Sequence, residues 1–351
     1  MSRYFLIAVF VLRISASQLL WARIPVSPGD EDIRDLADHA PLVFRGQVVQ
    51  LHLTKREPGN KEGIAVIAVD RWYRGGRVPV SSRINVHFAY DWEQSFQGHN
   101  CVDLVLDSHW IFFAQPDGAA AVELSHDCEG ALAVSLLLAP QESGRFLSQI
   151  QADFRAGLSD SDPEARIASI QRLAGLGLPS SREALHEVIA HGTEAESKWA
   201  LFAALKTGDV SVLSLAVPIL LNLRHVAARS YRQPDGMVVT TSTPYPQPDA
   251  GIALAIEKLR APEAVPSLIE ILNEAPDELV RSCASQALME IRDPRALDAF
   301  ADHLSDPSQY VRYNSLIGME YITHSPACTI RKPEDAEKAE PLCRGWWKSR
   351  Y

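Results

Sequence analysis

Residues able to do chemistry are sparse in this chain, and four groupings are close enough in sequence to weigh. The stretch HEVIAH, His186 to His191, sets two histidines around a glutamate on a helical pattern, a layout that could hold zinc beside a general base. One helix holds zinc through histidines four apart, about 40° around its axis, whereas five residues separate this pair by about 140°. His186 and His191 therefore cannot both reach one ion. The pairs His99/Cys101 (HNC) and His126/Cys128 (HDC) are a stronger candidate. Alternate residues of a strand share a face, so the two pairs could offer two nitrogen and two sulfur ligands. Against zinc stands a disulfide with two incidental histidines, which oxidising surroundings favour. Asp160/Asp162 and Asp91/Glu93 could act as acid and base, but neither has a third organising group, and such carboxylates are more often helix caps or solvated loop residues. There is no G-x-S-x-G elbow and no phosphate-cradling glycine loop; GLGLP, Gly175 to Pro179, reads as a helix end and turn. The expectation is no catalytic residue, no bound metal and no cofactor.

The surroundings of these residues follow from composition and from the leading segment. With 351 residues, of which 46% are apolar, the chain can bury more than one core. Its 44 acidic against 34 basic residues give a formal charge of -10, with no Lys/Arg run dense enough to track a phosphate backbone, so nucleic acid is not an expected partner. Residues 1–22, MSRYFLIAVFVLRISASQLLWA, have a signal-peptide layout: basic Arg3, an apolar run from Tyr4 to Leu12, then small residues around Ser15 to Ser17. The run is too short to span a bilayer as a helix, and Arg13 closes it. These features predict an exported protein, secreted or periplasmic, with no membrane insertion once the leader is removed. Five cysteines in such a chain should mostly pair, and two bridges with one buried thiol, Cys283, fit best. Export and spacing together predict bridges from Cys101 to Cys128 and from Cys328 to Cys343, stabilising by roughly 3.5 and roughly 3 kcal/mol in the chain-entropy model.

Two halves with different periods must position these residues. From Ala40 to about Ser135 the pattern is short strands: Leu42 to Leu53, Gly63 to Gly75, Arg83 to Phe88, His109 to Gln115 and Ala120 to Ser125. Gly46 marks a place where the first strand could bend sharply. Five strands with no long helix between them predict a small all-β barrel over 36–135. APLVFRGQVV, VIAVDRWYRG, WIFFAQ and SHDCEG together resemble the netrin-like, or tissue-inhibitor-of-metalloproteinases-like, oligonucleotide-binding (OB) fold. That resemblance makes Cys101 and Cys128 natural disulfide partners. Inhibitors of that family chelate a protease's zinc with a cysteine at the mature N-terminus; no cysteine precedes Cys101, so their mechanism does not carry over.

Beyond a connecting helix over 140–161, expected from Glu142 to about Leu158, the period lies between three and four. RAPEAVPSLIEIL at Arg260 recurs as RDPRALDAFADHL at Arg292, and VRSCASQALMEI at Val280 recurs as VRYNSLIGMEYI at Val311. A repeat of about 30 residues with two helices per unit predicts an α-solenoid over 162–351. Its units fall near 162–192, 193–222, 250–276 and 277–306, with a terminal one from Pro307. Val265, Leu268, Ile269 and Leu272 form one apolar stripe; Val280, Cys283, Ala284, Ala287, Leu288 and Ile291 form another. Small residues at Ala284, Ala287, Ser315 and Gly318 let helices approach closely. In the first unit, Leu185, Val188 and Ile189 supply the expected buried stripe, leaving His186 and Glu187 outside. The pattern, with DELVR (Asp277 to Arg281) as a helix start, resembles the short HEAT repeats first named after phycobilisome lyases; no bilin-handling motif accompanies it, so lyase activity does not follow. Trp110 and Trp199 are expected in cores, and Trp346 and Trp347 at the solenoid's end. An insertion at 223–250, carrying four prolines and a hairpin signal in PDGMVVTTST, interrupts the repeats.

The fold class expected is a small OB-like barrel followed by a HEAT-type solenoid with a C-terminal cap. The function expected is non-enzymatic binding of a protein partner on the solenoid surface. Two alternatives stand beside it: an inhibitor-like or matrix-type binder acting through the barrel, and a hydrolase with its site between the domains.

Overall fold

The computed structural model describes residues 33–57, 60–76, 82–91, 104–117, 121–124, 130–140, 146–224, 229–232, 238–241, 248–329 and 336–350. Two compact units emerge, one built on Leu36–Leu132 and the other on Ala133–Tyr351, with Ile33 to Asp35 grouped with the second.

The first unit is a closed barrel. Strands β1 (Leu42–Glu57), β2 (Asn60–Arg74), β3 (Arg83–Asp91), β4 (His109–Asp117) and β5 (Ala121–Leu124) run in the order β1-β2-β3-β5-β4, and β1 pairs with β4 to complete the ring. All pairings are antiparallel except β3 with β5, where Val86 sits opposite Val122. On β2 the residues Ala65, Ile67 and Val69 are buried and alternate with half-buried neighbours, the period of two that one apolar face requires. Phe44 on β1 lies between Trp72 of β2 and Phe112 of β4, with ring centroids 5.0 and 5.1 Å away. Offset aromatic pairs of this kind strengthen cross-strand contact beyond the area they bury. The bend expected at Gly46 coincides with a register shift between Arg45 and Gly46, and a Cβ there would lie 2.5 Å from the Ala68 carbonyl oxygen. Only glycine lets the two backbones approach that closely. A sixth strand, β6 (Ala131–Val134), adds to β4, and a short helix, α1 (Ile33–His39), precedes the barrel. Neither is in the sequence reading. Arg74 fixes the end of α1 by donating to the carbonyls of Ala37 and Ala40.

The second unit is helical. Helix α2 (Phe146–Gly157) packs on α3 (Pro163–Leu176); the expected start at Glu142 lies outside the described residues. There follow α4 (Pro179–His191), α5 (Glu194–Lys206), α6 (Leu213–Asn222), α7 (Pro248–Glu257), α8 (Val265–Glu274), α9 (Glu278–Ile291), α10 (Leu297–Asp302), α11 (Gln309–Thr323) and α12 (Ala336–Lys348). From α3 onward, odd-numbered helices pack each on the next odd one, and each packs with its even partner, giving a stack of helix pairs. The expected stripes face that stack: Val265, Leu268 and Leu272 on α8, and Val280, Cys283, Ala284, Ala287 and Leu288 on α9, are buried. At Gly318 on α11 a Cβ would stand 2.5 Å from the Phe300 ring, so helix packing there depends on a missing side chain. Between α6 and α7, strands β7 (Arg229–Arg232) and β8 (Val238–Thr241) form an antiparallel hairpin.

One device recurs at the start of the odd helices. Asp162 and Asp277 cap α3 and α9 through their side chains, and Ser308 holds the same position on α11. Four residues on, an arginine turns its Nη1 back onto the two carbonyls that end the preceding loop. Arg166 donates to Asp160 and Ser161 at 2.7 and 3.2 Å, Arg281 to Ala275 and Pro276 at 3.1 and 3.0 Å, and Arg312 to Asp306 and Pro307 at 2.7 and 3.1 Å. Ser197 takes this place on α5 and donates to Val188 and Ile189. Two of the arginines also reach the following repeat: Arg166 Nε meets Glu196 Oε1 at 2.5 Å, and Arg281 makes a two-pronged contact with Asp306 at 2.9 and 3.1 Å. Burial would raise the Glu196 carboxyl, but hydrogen bonds from Thr193 and Arg166 hold it below its usual range.

Candidate interaction surface

The outer face of α11 exposes aromatic side chains. Tyr310, Tyr313, Ile317 and Tyr321 follow one another at helical spacing, so they form a stripe within about 80° of the axis. Tyr310 is 66% exposed and Tyr321 39%, while Tyr313 and Ile317 are half-buried between them. Packing does not require this face, because α11 uses Val311, Ser315, Leu316, Gly318 and Met319 for its contacts with the stack. The Arg292 guanidinium lies over the Tyr321 ring, 4.2 Å from its centroid, a cation–π contact. Further apolar side chains stand out on other helices: Leu215 on α6, Leu254 on α7 and Leu342 on α12. Exposed aromatic side chains are among the residue types enriched at protein interfaces.

The residues singled out by type and spacing are placed as follows. His186 Nε2 lies 2.7 Å from Asp209 Oδ2, and Asp209 also caps the turn after α5 through Ser211; His191 is exposed in the last turn of α4. His186 falls on the solvent side as the helical pattern predicts, with its side chain 41% exposed, and pairs with a carboxylate 23 residues on. Val188 and Ile189 are half-buried rather than buried, and Ser181 and Ala184 join Leu185 in the buried stripe. Asp160 is buried and accepts from the Ser135 hydroxyl and from the Asp162 amide, and Asp162 caps α3. Both are structural acceptors for the loop that begins the repeats. Gly177 ends α3 in the left-handed conformation, the turn that GLGLP implied. Trp110 and Trp199 are buried; the Trp346 and Trp347 rings on α12 lie 6.0 Å apart with their planes tilted by 45°, and Arg350 sits over Trp346. Cys328 and Cys343 are bonded and buried, tying the turn before α12 to α12 itself, and Cys283 is a buried free thiol. Cys101, Cys128, His99, His126 and Glu93 lie outside the described residues, as does the leader. Among the described residues no three His, Cys, Asp or Glu side chains converge as metal ligands, and no helix is long and apolar enough to cross a membrane.

No local sequence pattern marks a polar cluster formed by three strands of the barrel. Arg45 of β1, with its side chain 1% exposed, and His109 of β4 both approach Asp70 Oδ2 of β2 at 3.6 Å. Burial lowers the His109 pKa; Asp70 opposes that shift and Arg45 adds to it. The three residues come from three strands, and only the barrel's register brings them together.

Strand order and helix stacking define a chain with an OB-like barrel and a helical-repeat unit. A family model for HEAT repeats matches residues 239–320, from β8 through α7, α8, α9 and α10 into α11. No curated protein matches the chain.

Proposed function

We propose that this chain is an exported, non-enzymatic scaffold that binds a protein partner on the surface of its helical repeats. The observation that carries this reading is the stack of helix pairs with HEAT repeats over 239–320, ending in a helix that exposes an aromatic stripe from Tyr310 to Tyr321. Repeat stacks offer long continuous surfaces, and a specific interface needs about 800 Å² on each partner. Export is supported by the leader at 1–22 and by the pairing of Cys328 with Cys343, which an oxidising compartment maintains. The non-enzymatic reading is supported by the engagement of Asp160, Asp162 and His186 in caps and pairs that hold loops.

In this reading the barrel is netrin-like, which the strand order β1-β2-β3-β5-β4 with β1 closing on β4 supports. A pulldown from the native host with residues 162–351 alone and with residues 27–135 alone tests the assignment. Residues 162–351 should retain most of the full chain's binding, and deletion of Arg232 to Pro248 should weaken it without loss of helicity. Capture of the partner at full affinity by 27–135 would transfer the function to the barrel.

A further inference from the structure

Strands β1, β2 and β4 bring three ionisable side chains together where the barrel closes. The β1–β2 ladder pairs Arg45 with Arg71 and Gly46 with Val69, so Asp70 has no residue opposite it and is the extra residue of a β-bulge. Bulges re-aim side chains. Asp70 Oδ2 lies 3.6 Å from Arg45 Nε and 3.6 Å from His109 Nε2. The Arg45 side chain is 1% exposed, that of His109 14% and that of Asp70 25%. Asp70 Oδ2 and His109 Nδ1 are buried atoms without a hydrogen-bond partner among the described residues. The charges acting on His109 are Arg45 from β1 and Asp70 from β2. Arg71 stands across the ladder from Arg45, and Asp107, in the turn before β4, is exposed.

The cluster sits at one end of the closing seam. β1 and β4 pair from Leu42 with Ala114 to Gln47 with His109, and this pairing completes the ring. β2 and β3 pair along a separate ladder, from Asn60 with Asp91 to Ala68 with Arg83. With His109 neutral, the Arg45 cation and the Asp70 anion balance. A proton on His109 adds a second cation where little water reaches, and one carboxylate cannot neutralise both. Burial, reinforced by Arg45 and opposed by Asp70, accordingly lowers the His109 pKa. Moving β4 away from β1 lets water reach the imidazolium while the β2–β3 ladder stays paired.

We infer that the β1–β4 seam is an acid-sensitive latch, closed while His109 is neutral and opened locally when His109 takes up a proton. It concerns the barrel alone and does not rest on the partner-binding reading. The open form binds the proton more readily than the closed one, so opening grows as pH falls through the ordinary histidine value of 6.5. A histidine that regains that value on opening raises the open fraction by up to about tenfold between pH 7.5 and 5.5. Hydrogen–deuterium exchange of the full chain at these two pH values, corrected for the intrinsic pH dependence of amide exchange, tests the latch. Peptides covering Leu42 to Gln47 and His109 to Ala114 should lose protection several-fold, up to about tenfold, while those covering Ile64 to Ala68 change by less than about twofold. His109→Gln should abolish the loss. His87→Gln, which removes a half-exposed histidine paired with Asp117 on the same barrel, should leave it intact. Equal protection of the seam at both pH values, a loss retained in His109→Gln, or a loss abolished by His87→Gln would overturn the latch. A loss of the same size in the β2–β3 ladder would overturn its local character.

Discussion

Replacing Arg281 by methionine should destabilise the helical unit more than any single surface change. Arg281 contacts both oxygens of Asp306 at 2.9 and 3.1 Å, and the two side chains are 14% and 5% exposed. Removing one member of a buried ion pair costs about 3 to 5 kcal/mol, because the remaining charge stays desolvated. Asp306 would keep the Ser308 amide at 2.8 Å, which places the expected loss near the lower end, about 3 kcal/mol. For a helical unit of this size that corresponds to a fall in Tm of roughly 6 to 12 °C. The same substitution strips donors from the Ala275 and Pro276 carbonyls, so the single variant mixes two effects. A double-mutant cycle with Asp306→Asn separates them, read by urea unfolding followed at 222 nm. The expected coupling is about 1.5 to 3 kcal/mol. A coupling below about 0.5 kcal/mol, the additivity of independent sites, would show that the inter-repeat clamp does not hold successive helix pairs together.

Other expectations follow from individual sites. Mass mapping without reduction should find Cys328 bonded to Cys343, Cys101 bonded to Cys128 and Cys283 free. Burial and the neighbouring Glu257 push the Cys283 thiol up to about 12, so alkylation at pH 8 should run at least roughly a hundredfold slower in the native than in the unfolded protein. Gly318→Val should cost about 2 kcal/mol by forcing a side chain against the Phe300 ring, and Phe300→Leu in the same chain should recover part of the loss in a thermal melt. Because burial holds the His109 pKa below its unfolded value, the unfolded chain binds more protons as pH falls through about 6.5. Barrel stability, followed by tryptophan fluorescence, should therefore decline between about pH 7 and 5.5, and His109→Gln should flatten that decline.

Local rules carried the reading wherever structure is local. The strands of the barrel are β-branched and aromatic runs with a period of two, and the helix starts at Asp162 and Asp277 repeat one capping pattern. What stayed hidden depends on contacts distant in sequence. The parallel pairing of β3 with β5 and the meeting of Arg45, Asp70 and His109 follow from barrel closure, which no window of residues contains. The pairing of His186 with Asp209 crosses from one repeat to the next. Two short elements escaped for a different reason. ALAV in β6 is too brief to show a period, and α1 is two turns long, although Ile33, Leu36, Ala37 and Ala40 already carry the helical spacing. The arginine clamp could have been read from DPEAR, DELVR and SQYVR, where Arg166, Arg281 and Arg312 each stand four residues after the cap position. Its acidic partners in the next repeat could not, since they depend on how successive repeats stack.

The central claim is that the helical repeats carry the partner. Hydrogen–deuterium exchange on the full chain, free and in complex with the captured protein, measures this most directly. Protection is expected along the exposed face of α11 between Tyr310 and Tyr321 and on neighbouring helices, with Tyr310→Ala/Tyr321→Ala weakening the complex at least about tenfold. Protection confined to the barrel strands between Leu42 and Leu124, with α11 unchanged and the double variant binding normally, would contradict it.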